Sequence, residues 1–163
     1  MNNWIASDFH LGHKNIRKYE PTRPENFEEL IFENLKEIPE EDTLYFLGDF
    51  CLGNDKYWHE RLREFKFKKF LIRGNHDRKT ATWYRNSGWD DVLFKLGIDV
   101  LGHRCVLIHN PEHCTEGVKY IIHGHLHSKT HLIKNKNKQI LYSLELFNYK
   151  PIILEDLVFN YNF

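Results

Sequence analysis

The stretch TLYFLGD, residues 43–49, sets the fold expected of this chain. Its apolar and β-branched residues form a run too short for a typical helix, and the run ends in Gly48 and Asp49. This pattern is typical of a buried strand that leads into a sharp turn. Two similar runs, WIASD (4–8) and KKFLIRGN (68–75), also end in polar residues. Together they predict three strands whose ends carry polar side chains.

Helical patterns separate these strands. Residues 26–38 place apolar side chains on one helical face, residues 55–65 predict a helix capped by Asp55, and residues 80–87 predict a third helix. Such alternation of strands and helices is typical of βαβ units with parallel strands.

The second half of the chain changes character. The segments DVLFKLGIDVLGHRCVLIHN (91–110), KYIIHGHLH (119–127) and THLIKNKNKQILYSLELF (130–147) predict consecutive strands and hairpins, with KNKNK (134–138) as a turn. No linker or repeat divides the chain. We therefore expect one domain, residues 1–163, with an α/β fold in which mixed sheets form a sandwich and the later strands run antiparallel.

Composition limits the classes of function. The chain has 23 basic and 23 acidic residues, so its net charge does not indicate a nucleic-acid or membrane partner. KFKKF (66–70) is interpreted as a solvated sheet edge, although a nucleic-acid contact at the basic segments stays open as an alternative. The three cysteines lack C-x-x-C spacing, and the sequence shows neither a signal peptide nor a membrane-length apolar run. These features predict a cytoplasmic protein with reduced thiols and no membrane partner.

The polar residues at the predicted strand ends share metal-binding chemistry. They are Asp8, His10, Asp49, Asn75, His76, Asp77, His109, His125 and His127. Ligands of open α/β sheets bind beyond the carboxyl ends of the strands, so these side chains are expected to converge. Their nitrogen and oxygen atoms suit Mn, Fe or Zn better than Mg or Ca, and the absence of thiolates argues against a structural zinc site. This set contains too many candidate ligands for one ion, which favours two ions that share a carboxylate.

The stretch IIHGHLHS (121–128) leaves a choice among three histidines. His123, His125 and His127 follow an apolar run directly, and each is a candidate for a metal ligand, a surface residue or a strand residue. The residues alone do not decide which of them bind a metal.

Five motifs, taken together, identify a resemblance. D-F-H (8–10), G-D (48–49), G-N-H-D (74–77), His109 and G-H-L-H (124–127) resemble, in this order, the calcineurin-like metallophosphoesterase superfamily. The start SDFHLGHKNI, with the tyrosine and R-P that follow, is similar to a small bacterial and phage branch of it. The resemblance implies a calcineurin-like double β-sandwich of mixed sheets flanked by helices, with a dinuclear metal site.

The resemblance also implies residue roles. One ion would bind Asp8, His10 and His127, and the other would bind Asn75, His109 and His125. Asp49 would bridge the two ions. His76 would be the catalytic histidine. His123 is then a strand residue or a partner of a ligand. Many relatives carry a carboxylate three positions after the bridging aspartate to orient that histidine, but this chain has Leu52 there. Either Asp77 or another group takes that orienting role, or His76 acts differently.

The expected reaction is hydrolysis of a phosphoester. Two cations lower the pKa of a shared water, so that hydroxide attacks phosphorus while His76 protonates the leaving group or binds a phosphoryl oxygen. Manganese is favoured over Fe, Zn or Ni. The short chain has no inserted cap, which predicts an open site. Largely on the resemblance, a phosphodiester of a nucleotide or nucleic-acid type is favoured over a phosphomonoester. A metal-binding interaction scaffold of the same fold and a structural metal protein are the alternatives.

The segment from residue 13 to residue 26 is expected to border the crevice. His13, Asn15, Arg17 and Arg23 are candidates for contacts to a second phosphate or a nucleotide. A solvated basic loop is the alternative interpretation.

Overall fold

A computed structural model describes residues 1–114, 117–135 and 138–161 of the chain. The strands in this part of the chain are β1 (Asn3–Ala6), β2 (Thr43–Phe46), β3 (Lys68–Ile72), β4 (Asp91–Leu93), β5 (Lys95–Val100), β6 (His103–Ile108), β7 (Tyr120–His123), β8 (Gln139–Leu141) and β9 (Ile152–Ile153). The α-helices are α1 (Ile16–Tyr19), α2 (Phe27–Leu35), α3 (Asp55–Leu62), α4 (Ala81–Asn86) and α5 (Leu154–Tyr161).

A five-stranded sheet with the order β4-β3-β2-β1-β9 contains the first half of the chain. Strands β1 to β4 run parallel, and β9 pairs antiparallel with β1. This confirms the parallel units predicted from the strand and helix alternation. The helix predicted at residues 80–87 is α4, which begins after Thr80, whose hydroxyl accepts a hydrogen bond from the Trp83 backbone N–H. The cap of α3 is Asn54, with a φ of 51°, and not Asp55.

The second sheet has four strands in the order β5-β6-β7-β8. Of the strand pairs described in this sheet, β5–β6 is antiparallel, whereas β6–β7 and β7–β8 are parallel. The expectation of consecutive antiparallel strands was therefore wrong for this part. Long connections carry the chain back before β7 and β8, and one of them contains a 3-10 turn at Thr130–Leu132. Residues 136 and 137 of the predicted KNKNK turn lie outside the described residues.

Two parts of the fold were not expected from sequence. The segment after residue 13 contains the short helix α1, and the described chain ends with β9 and α5. Helix α5 buries Leu154, Leu157 and Val158 and contacts β1 and β9 of the first sheet and β5 and β8 of the second.

The core lies between the two sheets. Leu44 and Leu71 of the first sheet belong to one buried apolar cluster with Leu107 and Ile122 of the second, so the mixed-sheet α/β sandwich is confirmed. Strand β3 is interior, which corrects the interpretation of KFKKF as a sheet edge. Lys69 in that segment is buried, and its ammonium group donates to the carbonyls of Phe65 and Phe67. Among the described helices, none combines the length and apolarity that crossing a membrane requires.

Candidate metal centre

The loops that follow the strands hold the predicted ligands in uncommon backbone conformations. Asp8, His10, Asp49, His125 and His127 all have positive φ values, between 50° and 67°. A positive φ is strained for residues other than glycine and costs about 1–3 kcal/mol at sites that the surrounding structure holds in place. Such strain clusters at functional sites, and here it falls on five of the seven residues predicted to bind metal.

Close backbone approach explains two of the glycines beside these ligands. A Cβ on Gly74 would collide with the Asp49 carboxylate, and one on Gly124 would collide with Ser7 Oγ and the Asp8 carboxylate. The Asp8 carboxylate also accepts hydrogen bonds from Ser7 Oγ (2.6 Å) and the His125 backbone N–H (2.9 Å). The loops after β1 and β7 are therefore fastened together at Asp8.

Asp8, His10 and His127 form one cluster. The Oδ1 atom of Asp8 lies 3.7 Å from Nε2 of His10 and 3.8 Å from Nε2 of His127, and the two imidazole rings stack with centroids 5.0 Å apart. This is the set of side chains expected for the first ion. His10 Nε2 also lies 3.7 Å from Asp49 Oδ2, which places Asp49 beside this cluster.

A second cluster lies on the other side of Asp49. His109 Nδ1 donates to the Leu47 carbonyl at 2.7 Å, so the lone pair of a neutral His109 is on Nε2. That nitrogen is 3.0 Å from Asn75 Oδ1, 3.1 Å from His125 Nδ1 and 3.4 Å from Asp49 Oδ2. Four electron-rich atoms thus converge at one place, and they belong to the residues expected for the second ion and the bridge.

The donor atoms fit divalent cations. Among the described residues, Asp8 Oδ1 and both ring nitrogens of His10 are buried without a hydrogen-bond partner, which is costly unless a cation binds there. Groups of carboxylate and imidazole atoms within 4.8 Å of one another occur around Asp8, Asp49 and His10. Burial alone would lower the pKa of His109, but Asp49 and Asp8 outweigh it and raise that pKa to about 9.

His76 lies at the mouth of this site. Its backbone N–H donates to Asp49 Oδ1 at 2.8 Å, and its side chain is 30% exposed with Nε2 4.0 Å from Asp49 Oδ2. The ring also belongs to a cluster with His10 and Asp49, so a ligand role is sterically open to it. Burial lowers the pKa of His76, which favours a neutral ring near neutral pH.

Asp77 does not orient His76. Its Oδ2 accepts from the backbone N–H groups of Asp49 and Gly74, both at 2.8 Å, and its Oδ1 accepts from Phe50 N–H. The Nδ1 atom of His76 has no partner among the described residues. Asp77 instead joins the loops after β2 and β3. It therefore does not replace the carboxylate that orients the catalytic histidine in relatives, where this chain has Leu52.

Glu145 was not recognised from the sequence. Its Oε1 lies 3.7 Å from Nδ1 of His127 and accepts a 2.7 Å hydrogen bond from Nε of Arg23. Burial would raise the pKa of Glu145, but His127 and Arg23 lower it to about 2. Glu145 belongs to SLELF, whose pattern predicts a strand, and no local motif marks it as a partner of the site.

The tentative substrate contacts have different positions. His13 lies beside the site, with its ring 5.9 Å from that of His10. Asn15 is exposed at the start of α1, and Arg17 is about half exposed and paired with Glu25. Arg23 is 1% exposed and donates to the carbonyls of Asp8 and Phe9 as well as to Glu145. Its guanidinium supports the metal loops, which corrects its assignment as a substrate contact.

His123 is fully buried at the end of β7. Its Nδ1 donates to the Gly124 carbonyl at 2.8 Å, and burial is the main cause that lowers its pKa to about 4. It belongs to none of the clusters of candidate ligand atoms found in the described residues.

The sequence was compared with protein-family models and with known proteins. The family model for calcineurin-like phosphoesterases matches residues 1–113. The uncharacterized protein MJ1445 of Methanocaldococcus jannaschii is 33% identical over an alignment of 168 residues that covers 95% of this chain and 88% of that protein.

Two solved structures are similar. The protein of unknown function AQ665 from Aquifex aeolicus superimposes with a TM-score of 0.81 and 28% identity over 98% of both chains. Yfce, a phosphoesterase from E. coli, has a TM-score of 0.50 and 19% identity over 78% of this chain and 70% of its own, so it shares the fold. The matched family model covers more than half of the sequence, and its members use divalent metals to hydrolyse phosphoesters. The chain belongs to the calcineurin-like phosphoesterase family.

Proposed function

We propose that this phosphoesterase is a two-metal phosphodiesterase that acts on a nucleotide-type phosphodiester. One observation carries the proposal: buried donor atoms converge on both sides of Asp49. Asp8, His10 and His127 would hold one ion, Asn75, His109 and His125 would hold the other, and Asp49 would contribute to both. When bound, the two cations supply Lewis acidity and an activated water for hydrolysis.

The protein supplies position and hydrogen bonds. Two carboxylates fix the loop that carries His76. Asp49 accepts a hydrogen bond from the His76 backbone N–H. Asp77 accepts from the backbone N–H groups of Gly74 and Asp49 and so links this loop to the one after β2. A neutral His76 at the mouth donates one ring N–H to a phosphoryl or leaving oxygen. We therefore assign His76 to the substrate and not to a metal.

Space on both flanks of the site favours a diester. A cavity of about 720 Å³ is lined by Asn75, His109 and His125. Another of about 270 Å³ is lined by His13, whose ring centroid lies 5.9 Å from that of His10. A phosphodiester carries two organic groups, and both need room when its phosphate lies at the metals. A monoester would use only one of these cavities.

The first experiment compares two chromogenic substrates. Metal-depleted protein is reloaded with Mn²⁺ and assayed with bis-p-nitrophenyl phosphate and p-nitrophenyl phosphate, with Asp49→Asn as the control. We expect faster turnover of the diester and loss of it in the control, because an amide lacks the negative charge of the bridging carboxylate. A clear preference for the monoester, or no hydrolysis by protein that binds two ions, would contradict the proposal.

His76→Ala tests the role of the catalytic histidine. We expect metal stoichiometry to persist and diester turnover to fall by roughly 10²–10⁴-fold, the usual contribution of a positioned acid or base. His123→Ala is the matched histidine control and should keep two ions. Loss of an ion from the His76 variant would show that His76 is a ligand.

A further inference from the structure

The cavity of about 720 Å³ beside the second metal cluster has a distinct chemistry. Asn75, His109 and His125 line it, and so do Phe94, Arg78 and His113. Arg73 and Lys95 also line it, and Asp77, which is buried against backbone N–H groups, is the acidic side chain of the lining. The cavity therefore joins the candidate metal ligands to a wall that is basic and aromatic.

Phe94 is the most unusual member of this wall. Its ring is 75% exposed at the junction of β4 and β5, although exposing a large aromatic side chain is unfavourable in water. Because Phe94 lines the same cavity as Asn75, His109 and His125, its exposed ring is available to contact a ligand bound beside those residues.

The ring of Phe94 is supported from within the protein. The Arg73 guanidinium lies 5.5 Å from its centroid and donates to the carbonyls of Asp77 and Lys79. Those carbonyls belong to the segment that follows Asn75 and His76, so the position of the ring is coupled to the catalytic loop. A flat apolar surface held in this way is suited to stacking against a planar ring of a ligand.

Arg78 adds a cation to the same wall. It is exposed, and its Nε lies 3.5 Å from the Asn75 carbonyl, which keeps it near the metal ligands. A guanidinium here is placed to donate to oxygens of a bound anion or of a sugar and base. Among ligands that combine a phosphate, a polar sugar and a flat ring, nucleotides fit the metals, Arg78 and Phe94 together.

We propose that this cavity is a nucleoside subsite, in which Phe94 stacks on the base of one nucleoside of the diester while its phosphate lies at the metals. The proposal rests on the proposed function and names its substrate class: a diester with at least one nucleoside. Phe94 is then a specificity-determining residue of the reaction.

The test uses two diesters with the same leaving group. Mn²⁺-loaded protein is assayed with thymidine 5′-monophosphate p-nitrophenyl ester and with methyl p-nitrophenyl phosphate, and the ratio of the two kcat/KM values is compared among variants. Phe94→Ala should lower this ratio about 5- to 20-fold, the lower part of the range for base stacking, because the ring is exposed. Phe94→Trp should preserve it. Phe159→Ala, which removes an exposed phenylalanine on α5, is the matched control and should leave it unchanged.

A second readout does not need turnover. Chelated protein is titrated with thymidine and observed by NMR, and shifts are expected at Phe94 and Arg78 of the unmodified chain and not in Phe94→Ala. If the methyl diester is hydrolysed but the ratio is the same in all variants, the subsite is excluded while the proposed function stands. If neither diester is hydrolysed, the proposed function fails, and the thymidine titration alone decides whether the cavity binds a nucleoside. A change of solution mass in Phe94→Ala would assign the exposed ring to a contact between copies and overturn the proposal.

Discussion

Glu145 orients the candidate metal ligand His127, although it lies 18 residues away in the sequence. Its carboxylate faces His127 Nδ1, so it favours a proton on that nitrogen and leaves Nε2 for the metal. Glu145→Gln removes the charge and is expected to weaken one of two Mn²⁺ sites by about 10- to 100-fold, the usual effect of losing such a partner. Isothermal titration of the metal-depleted protein measures this.

The control for Glu145 is Glu112→Gln. Glu112 is exposed and pairs with Lys134, so its loss should leave both affinities unchanged. Thermal unfolding of the two metal-depleted variants shows whether loss of the Arg23 partner alone disturbs folding. Equal Mn²⁺ affinity in Glu145→Gln and the unmodified chain would remove Glu145 from the metal centre.

The burial of His59 predicts that the free energy of unfolding depends on pH, independently of the metals. It is 2% exposed among Phe50, Trp83 and Trp89, and burial is the main cause that lowers its pKa. Below the unfolded value of about 6.5, the unfolded chain binds a proton that the folded chain refuses. Stability from this group is therefore present above that pH and lost as pH falls towards the lowered folded pKa.

Substitution isolates the contribution of His59. We expect the free energy of unfolding to fall by up to about 1.4 kcal/mol per pH unit from this residue, and His59→Phe to remove that part of the slope. Urea unfolding between pH 7 and pH 5 at fixed metal concentration measures the difference. Parallel slopes for the two proteins would show that His59 titrates equally in both states.

The candidate ligands were easier to predict from the sequence than the residues that hold their loops in place. Short motifs such as G-N-H-D predicted which side chains the structure brings together, because G-D, G-N-H-D and G-H-L-H each keep a ligand type next to a glycine of the turn. Arg23 shows the limit: a basic residue in a polar segment resembles a solvent contact, and only the fold reveals that its guanidinium is enclosed by Asp8, Phe9 and Glu145.

At the scale of elements, the loop after β7 depends on Gly124. A side chain there would collide with Ser7 and the Asp8 carboxylate, which are fixed by the loop after β1. Gly124→Ala is expected to destabilise the protein by about 1–3 kcal/mol, as overpacking commonly does, and to lower Mn²⁺ affinity. Gly97→Ala in β5 is the matched control, since a Cβ there meets no atom within 4 Å.

The measurement is urea unfolding of both alanine variants, followed by Mn²⁺ titration. Strand propensity favours alanine over glycine in β5, so Gly97→Ala should be neutral or slightly stabilising. If Gly124→Ala bound Mn²⁺ as tightly as Gly97→Ala does, the close approach of the two loops would not matter for the site.

Strand pairing was harder to predict than strand existence. The apolar runs of β6 and β7 are visible in the sequence, but their parallel pairing depends on a connection that returns across the sheet. The final segment IILEDLVF combines two strand residues with the start of α5, so its periodicity indicates neither element clearly. The helical conformation of α5 depends on its contacts with β1 and β5, which are distant in sequence.

For the whole molecule, the metal centre joins the two sheets. Asp8, Asp49 and Asn75 follow strands of the five-stranded sheet, whereas His109 and the loop of His125 and His127 follow strands of the other. Each ion of the proposed pair would therefore bind both sheets at one edge of the sandwich. Burial and the Asp8 charge raise the pKa of Asp49, but His109 and His10 outweigh them and lower it, so the carboxylates of this edge depend on positive partners, one of them from the other sheet.

Metal removal is accordingly expected to lower the stability of the entire fold. A ligand at 100 times its Kd stabilises a protein by about 2.7 kcal/mol, which for a chain of this size corresponds to a rise in Tm of roughly 5–10 °C. Calorimetry of Mn²⁺-loaded and chelated protein measures this shift. Asp49→Asn should show a smaller shift, because it removes the shared ligand but leaves the sandwich core intact. A Tm that chelation leaves unchanged would mean that no tightly bound cation connects the two sheets.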